Sequence, residues 1–305
     1  MDNTITPRLA DPAIIATAGL EPDQTVYMYP LKQSGYQDSF ELFASFGEGR
    51  VGLLVKTGFG RYAKAKFRGD HASLIAINNA LRGFAPHSFG HGRMAGDEDE
   101  FFIITELLNV VLDGPPATLG RRLSRMHSRP APIHPVFEKP AYGFSVTTFC
   151  GEIPQDNTWK ASWPQFYVEN RLRPICRRIQ GPRKRDSELE QQLERVINDV
   201  VPELFGRMHP KSLAPSLLHG NLLYSRRSRG QFFSFDNDAE EEVVLRPACF
   251  YGHREYELGA ARVYGFPPAF FEEYHNHSPR NDPKEDWHWR VLLYELYHRL
   301  VVYAR

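Results

Sequence analysis

The order of patterned segments predicts an α+β fold. Period-two alternation and apolar runs bounded by glycine fill the first third of the chain, from Thr25 to about residue 107. Helical spacings of three and four residues fill most of the remainder, and strand-like texture returns over residues 214–251.

Residues 1–24 carry scattered prolines without a clear period, which predicts a leader with one short helix. Val26–Tyr29 is a candidate strand. Ser39–Phe46 alternates polar and apolar, Gly47–Arg50 reads as a turn, and Val51–Lys56 follows as the partner strand, which predicts an antiparallel hairpin. Gly58 and Gly60 break the pattern. Leu74, Ile75, Ile77 and Leu81 then fall at helical spacing, so a helix is predicted over His71–Leu81. Phe101–Thr105 is an apolar run of the buried-strand type. Beyond it, Leu119–His127, Trp163–Arg171, Ser187–Phe205 and His288–Tyr303 all have helical periodicity. Gln180–Arg185 is a basic, proline-containing connection, and no repeats or low-complexity tracts occur.

Composition narrows the class. With 42% hydrophobic and 24% charged residues, the chain reads as a soluble globular protein of one large domain or two packed lobes. The formal net charge is zero, so no basic field is available to hold a polynucleotide, and nucleic acid is not an expected partner. Cys150, Cys176 and Cys249 are too widely spaced for a metal pattern or a disulfide framework, which makes a reducing cytoplasm the expectation. Met1–Thr4 lacks the basic-then-apolar pattern of a signal peptide, and no 18-residue apolar run exists, so no membrane association is expected. Oligomeric state leaves no signature.

The most informative stretch is Leu217-Leu218-His219-Gly220-Asn221-Leu222-Leu223-Tyr224, which reads as a loop between two buried strands. Several further blocks accompany it. They are Leu119–His127, Tyr142-Gly143-Phe144 with Gly151–Trp159, and Trp163–Tyr167 with Arg171–Pro174. Tyr251–Leu258 and Gly265–Phe270 complete the series. In this order the blocks resemble the fructosamine/ketosamine-3-kinase family, a branch of the kinase-like fold related to aminoglycoside and choline kinases. The resemblance covers roughly residues 25–303. It implies a two-lobed protein-kinase-like fold, with an antiparallel-sheet lobe over 25–107 and a mostly helical lobe over 108–305 that holds the catalytic loop and acceptor site.

The resemblance also implies ATP and magnesium as cofactors and places the site residues. Phosphoryl transfer needs a lysine on the phosphates, carboxylates holding magnesium and a residue orienting the attacking hydroxyl. Lys56 falls at the ATP-binding lysine and Asp70 at the acidic residue that orients it, one methylene shorter than the family's glutamate. Thr105, Glu106 and Leu107 fall on the linker whose backbone would meet adenine. Where the family has His-Gly-Asp with the Asp as base, this chain has Asn221. An amide can hydrogen-bond a hydroxyl but cannot take its proton, and a general base typically contributes about 10²–10⁴-fold. Five residues on, the family's magnesium-binding Asn is replaced by Arg226. Two registers compete for the magnesium Asp. Phe232–Asp236 supplies Asp236, with 237–247 as an acidic insertion; it is preferred because a Ser-Arg-Gly turn precedes it. Alternatively Val243–Ala248 is the family strand and Arg246 stands in the Asp's place. The implied reaction is ATP-dependent phosphorylation of a sugar hydroxyl on a glycated amine, a fructosamine or ribulosamine adduct, weakened by Asn221. The same departures admit a pseudokinase that binds a nucleotide, metabolite or protein, or a kinase fold recruited to a specialised biosynthetic pathway.

Overall fold

A computed structural model describes residues 6–22, 24–31, 38–46, 49–108, 110–111, 117–180, 186–223, 228–231 and 240–304. The chain divides into two compact units, Met1–Asp113 with Ser228–Leu245, and Gly114–Arg227 with Arg246–Arg305.

The first unit is built on an antiparallel six-stranded sheet in the order β1-β2-β3-β4-β6-β5. Its strands are β1 (Arg8–Leu9), β2 (Tyr27–Pro30), β3 (Asp38–Phe46), β4 (Gly49–Phe59), β5 (Ser88–Arg93) and β6 (Glu100–Glu106). The predicted hairpin is β3–β4, with Ser39 opposite Lys56 and Leu42 opposite Leu53. Alternation sends Phe40, Leu42, Leu53, Val55, Phe102 and Ile104 into one core. Helix α1 (Pro12–Ala18) buries Ile14, Ile15 and Ala18 in that same core. Residues expected to form a leader therefore belong to the unit. Asp11 caps α1 and its carboxylate also receives the amides of Ala95 and Gly96, tying this segment to a distant turn.

Helix α2 (Gly60–Ala80) covers the opposite face, where its His71 meets Ser88 of β5 at 2.8 Å. It begins eleven residues before the predicted start at His71. The cause lies in Arg61–Arg68, where basic residues interrupt the apolar spacing; only Ala63 and Phe67 are buried there, too few for a periodic signal. The unit also contains a hairpin of strands Ser228–Gln231 and Glu240–Val243, whose first strand pairs with Val110–Val111. Residues 228–245 thus lie with the first unit, where the sequence expectation had a single boundary near 107.

The second unit is mostly helical around an aromatic core of Trp163, Tyr167, Tyr256, Tyr294 and Tyr297. Two predicted helices contain wide turns. Trp163–Tyr167 and Arg173–Ile179 flank a π-helical stretch at Val168–Leu172, and Ser187–Arg195 and Val201–Gly206 flank one at Val196–Val200. Each stretch ends two residues before a proline, Pro174 or Pro202. Proline has no amide to donate and its ring crowds the carbonyl four residues back, so the preceding turn widens. The amides of Arg173 and Val201 accordingly reach back five residues to Val168 and Val196.

Helices also approach closely through glycine. A Cβ at Gly120 would stand 2.5 Å from the Phe270 carbonyl oxygen, and one at Gly259 would stand 2.5 Å from Tyr294 Cβ. Strand Pro215–Leu218 pairs antiparallel with Phe250–His253 and delivers the chain into the His219–Asn221 loop.

Candidate active site

The loop is gripped from behind by one carboxylate. Glu257 lies in the first turn of helix Glu255–Val263 and is fully buried. It accepts the amides of His219 at 2.6 Å and Gly220 at 2.9 Å, while His127 Nε2 stands 3.4 Å away. Burial alone would raise its pKa, but the His127 contact, the nearby His219 and the loop amide hold the carboxyl below its usual range. The helix N-terminus favours the same charge. His127 is pushed the other way by complete burial and stays neutral, with its Nδ1 2.9 Å from the Tyr274 hydroxyl.

A second buried network fixes the strand that follows. Burial lowers the His253 pKa to about 4, so its ring is neutral. Its Nε2 accepts from Asn281 Nδ2 at 2.7 Å, which leaves Nδ1–H to donate to the Tyr294 hydroxyl at 2.6 Å. Trp163 Nε1 donates to that hydroxyl as well, at 2.8 Å. Glu255 pairs with Arg290 at 2.7 Å inside the core and accepts the Asn281 amide.

A third brace positions strand Thr148–Cys150. Arg171 is buried between the rings of Phe166 and Phe250, 4.6 and 4.1 Å from their centroids. It donates to Asp156 O and to Asn157 Oδ1. Asn157 in turn donates to Val146 O and Thr148 Oγ1. Trp163 and Phe166 are therefore core residues, while half-buried Trp159 stacks on Tyr251.

At the front of the loop stands Asn221, 3% exposed. Gly220 makes the bend at φ +75°, and a Cβ there would meet the Ala248 carbonyl oxygen at 2.1 Å. Asn221 Nδ2 donates to the Arg246 carbonyl at 3.0 Å, and its Oδ1 accepts from the Cys150 thiol at 3.5 Å. Arg246 is exposed and sits at φ +54°, a left-handed backbone that few non-glycine residues adopt. Asp236 and Arg226, the other expected residues of this region, lie outside the described residues. The groups that meet Asn221 are the His219 imidazole, whose Nδ1 accepts the Asn221 backbone amide, the Arg246 carbonyl and the Cys150 thiol, with no carboxylate among them. Among the described residues no cluster of three His, Cys, Asp or Glu could hold a metal ion.

In the first unit, Lys56 is half-buried on β4, opposite Ile103 and on the sheet face that α2 covers. Asp70 on α2 is 3.7 Å from Lys66, one turn earlier on the same helix. Thr105 and Glu106 end β6, Thr105 paired with Leu54 and Ser88. The amides of Glu106 and Leu107 are taken by His87 O and Gly52 O. Adenine at this edge would therefore have to use carbonyls or the next amide, that of Leu108. Sequence reasoning did not single out Cys150, His127 or Asn281 as site residues. Their roles depend on partners 71, 130 and 28 positions away, so no local pattern carries them.

These features define a kinase-like phosphotransferase fold. Over 90% of this chain and 85% of the other, it matches a candidate fructosamine-3-kinase of Thermobifida fusca at TM-score 0.70 and 22% identity. A candidate fructosamine-3-kinase of Haemophilus somnus matches at TM-score 0.69 and 21% identity over 95% and 88% of the two chains. An aminoglycoside phosphotransferase in complex with ADP and hygromycin B matches at TM-score 0.55 and 12% identity, over 96% and 91%. The chain belongs to the fructosamine kinase family, whose model matches residues 44–305. It is 33% identical to the chloroplastic protein-ribulosamine 3-kinase of Oryza sativa subsp. indica, over 81% of this chain and 66% of that protein. Against mouse ketosamine-3-kinase it is 32% identical over 52% of this chain and 47% of the relative. The match thus spans just under two thirds of the rice relative. No helix among the described residues is long and apolar enough to cross a membrane.

Proposed function

We propose that this chain is an ATP-binding ketosamine-3-kinase-like phosphotransferase that transfers to a sugar hydroxyl of fructosamine or ribulosamine adducts slowly. Lys56, with Asp70 on the covering helix, serves the phosphates, and the 105–107 edge receives adenine. Glu257 and Arg171 hold the loop and its neighbouring strand in place. Asn221 orients the acceptor hydroxyl without accepting its proton. The family names and the intact bracing behind the loop support the reading. Slow transfer is expected because a buried amide, hydrogen-bonded at both its nitrogen and its oxygen, stands where the family's base would be. Loss of a general base lowers turnover by about 10²–10⁴-fold. Magnesium is left to Asp236, outside the described residues.

ADP release with a fructosamine substrate is the test. Slow turnover that disappears in Lys56→Met supports the proposal; an absence of any ATP-induced thermal shift defeats it. A second reading, a pseudokinase that binds nucleotide or metabolite without transfer, is favoured by the two internal commitments of Asn221. ATP-induced stabilisation with no ADP release at any enzyme concentration would decide for it. Action in the cytoplasm is part of the proposal, supported by three cysteines whose spacing in the sequence suggests no disulfide framework.

A further inference from the structure

The turn Leu245–Ala248 is fastened to the His219–Asn221 loop in both directions. Asn221 Nδ2 donates to Arg246 O at 3.0 Å, and the Ala248 amide donates to His219 O at 2.8 Å. The fit between them is close enough that only a glycine is accommodated at 220. The other end of the Asn221 amide is engaged by the Cys150 thiol, on a strand that Asn157 and Arg171 hold in place. The turn carries a left-handed non-glycine residue at Arg246, a conformation that persists when surrounding contacts determine it.

We infer that Asn221 is a latch, its side-chain amide fastening the Leu245–Ala248 strap and the Cys150 strand end to the loop, so that the local fold requires an amide at position 221. An amide carries a donor at one end and an acceptor at the other, and both are used here. A carboxylate is acceptor-only and would set an oxygen against the Arg246 carbonyl. Asparagine at 221 is then not a lesion that one substitution repairs. While the latch is closed, one N–H and one lone pair of the amide are taken and the residue is 3% exposed, so an acceptor hydroxyl must compete with the strap and the thiol for this side chain. This consequence for transfer rests on the proposed kinase reading; the latch itself rests on the contacts.

Hydrogen exchange and thermal denaturation of the full chain test it. In Asn221→Ala, loss of the tie is expected to speed exchange of the Ala248 amide by about tenfold, while strand Pro215–Leu218 stays protected. Cys150→Ala gives a smaller rise, and Cys150→Ser, which keeps a donor, restores protection. Unchanged exchange across residues 244–249 in Asn221→Ala overturns the inference.

Asn221→Asp supplies a second readout. Its neutral acid can donate to Arg246 O and its charged form cannot, so its folded pKa is raised. The stability deficit of Asn221→Asp is therefore smallest at low pH and grows as pH rises above about 4, the range of an unfolded Asp, until the folded carboxyl has ionised, whereas that of Asn221→Ala is flat. Among the described residues, the other titratable or charged groups at the site are Cys150, His219 and Glu257, which are buried, and Arg246, which is exposed. All are common to the variants, so the difference in slope belongs to the new carboxyl. Equal slopes overturn the latch. So does brisk ADP release by Asn221→Asp at pH 8 with the strap protected as in the wild type. Failure of every variant to bind ATP counts against the kinase reading alone, because exchange still decides the latch.

Discussion

The back and the front of the His219–Asn221 loop are built to different rules. Behind it, both buried carboxylates have partners. Glu257 faces two amides and His127, and Glu255 faces Arg290. In front, Asn221 meets an amide's complement of neutral groups, a carbonyl and a thiol. The back is what folding needs, because a buried carboxylate without partners is costly. The front is what the proposed chemistry would need, and it holds a neutral amide. A well-braced loop therefore says where the proposed reaction would occur without saying how fast it would run.

The contrast can be broken most forcefully at Glu257. Glu257→Ala strands two loop amides and His127 in the core and is expected to cost about 3–5 kcal/mol in denaturant unfolding. A loss near zero would mean that the loop is held by something else.

Acid should find the back before the front. The unfolded His253 binds a proton near pH 6.5 and the folded one only near 4. The unfolded state then holds more protons in that window, so stability is full above it and falls as pH drops through it. The limit is about 3 kcal/mol from this residue, with neutral His127 acting in the same direction. Urea midpoints across that range check it, and a profile flat from pH 7 to 4 would count against neutral buried histidines.

Gly120→Ala probes helix packing beside Tyr274, the residue that His127 contacts behind the loop. Its Cβ collides with the Phe270 carbonyl, so overpacking of about 1–3 kcal/mol is expected by the same measurement. The smallest effect belongs to the exposed Lys160–Glu169 pair, beside the block that braces Cys150. Lys160→Met should cost below about 1 kcal/mol, because exposed pairs are screened by water. A larger loss would show that the brace extends to the surface.

Much of this architecture was legible in the chain. The β3–β4 hairpin announces itself by alternation, and the loop by two apolar residues running into His-Gly. The helix from Ala117 to His127 follows its apolar spacing. Other features were hidden because their causes are not local. The 1–24 segment reads as a leader until Ile14 and Ile15 are seen in the sheet's core. The 228–243 hairpin gives no sign that Val110–Val111 is its partner, since strand pairing is settled by a segment more than a hundred residues away. Asp70, aligned with Lys56, lies within ion-pair range of Lys66 on its own helix, a choice that rotamers and helix orientation make. The two registers for the magnesium residue were also open in the sequence. The structure brings Arg246 to Asn221, and Asp236 lies outside the described residues.

The sequence by itself determined the class of fold, the place of the loop and the identity of the residue at 221. Those are properties of residue type and spacing, and one dimension suffices to carry them. Only the tertiary structure decided what Asn221 touches. Its two partners come from strand Thr148–Cys150 and the Leu245–Ala248 turn, on opposite sides of it in the chain. An amide has the same formula whether it faces a substrate or a carbonyl, and only packing distinguishes a residue poised for catalysis from one that fastens the fold.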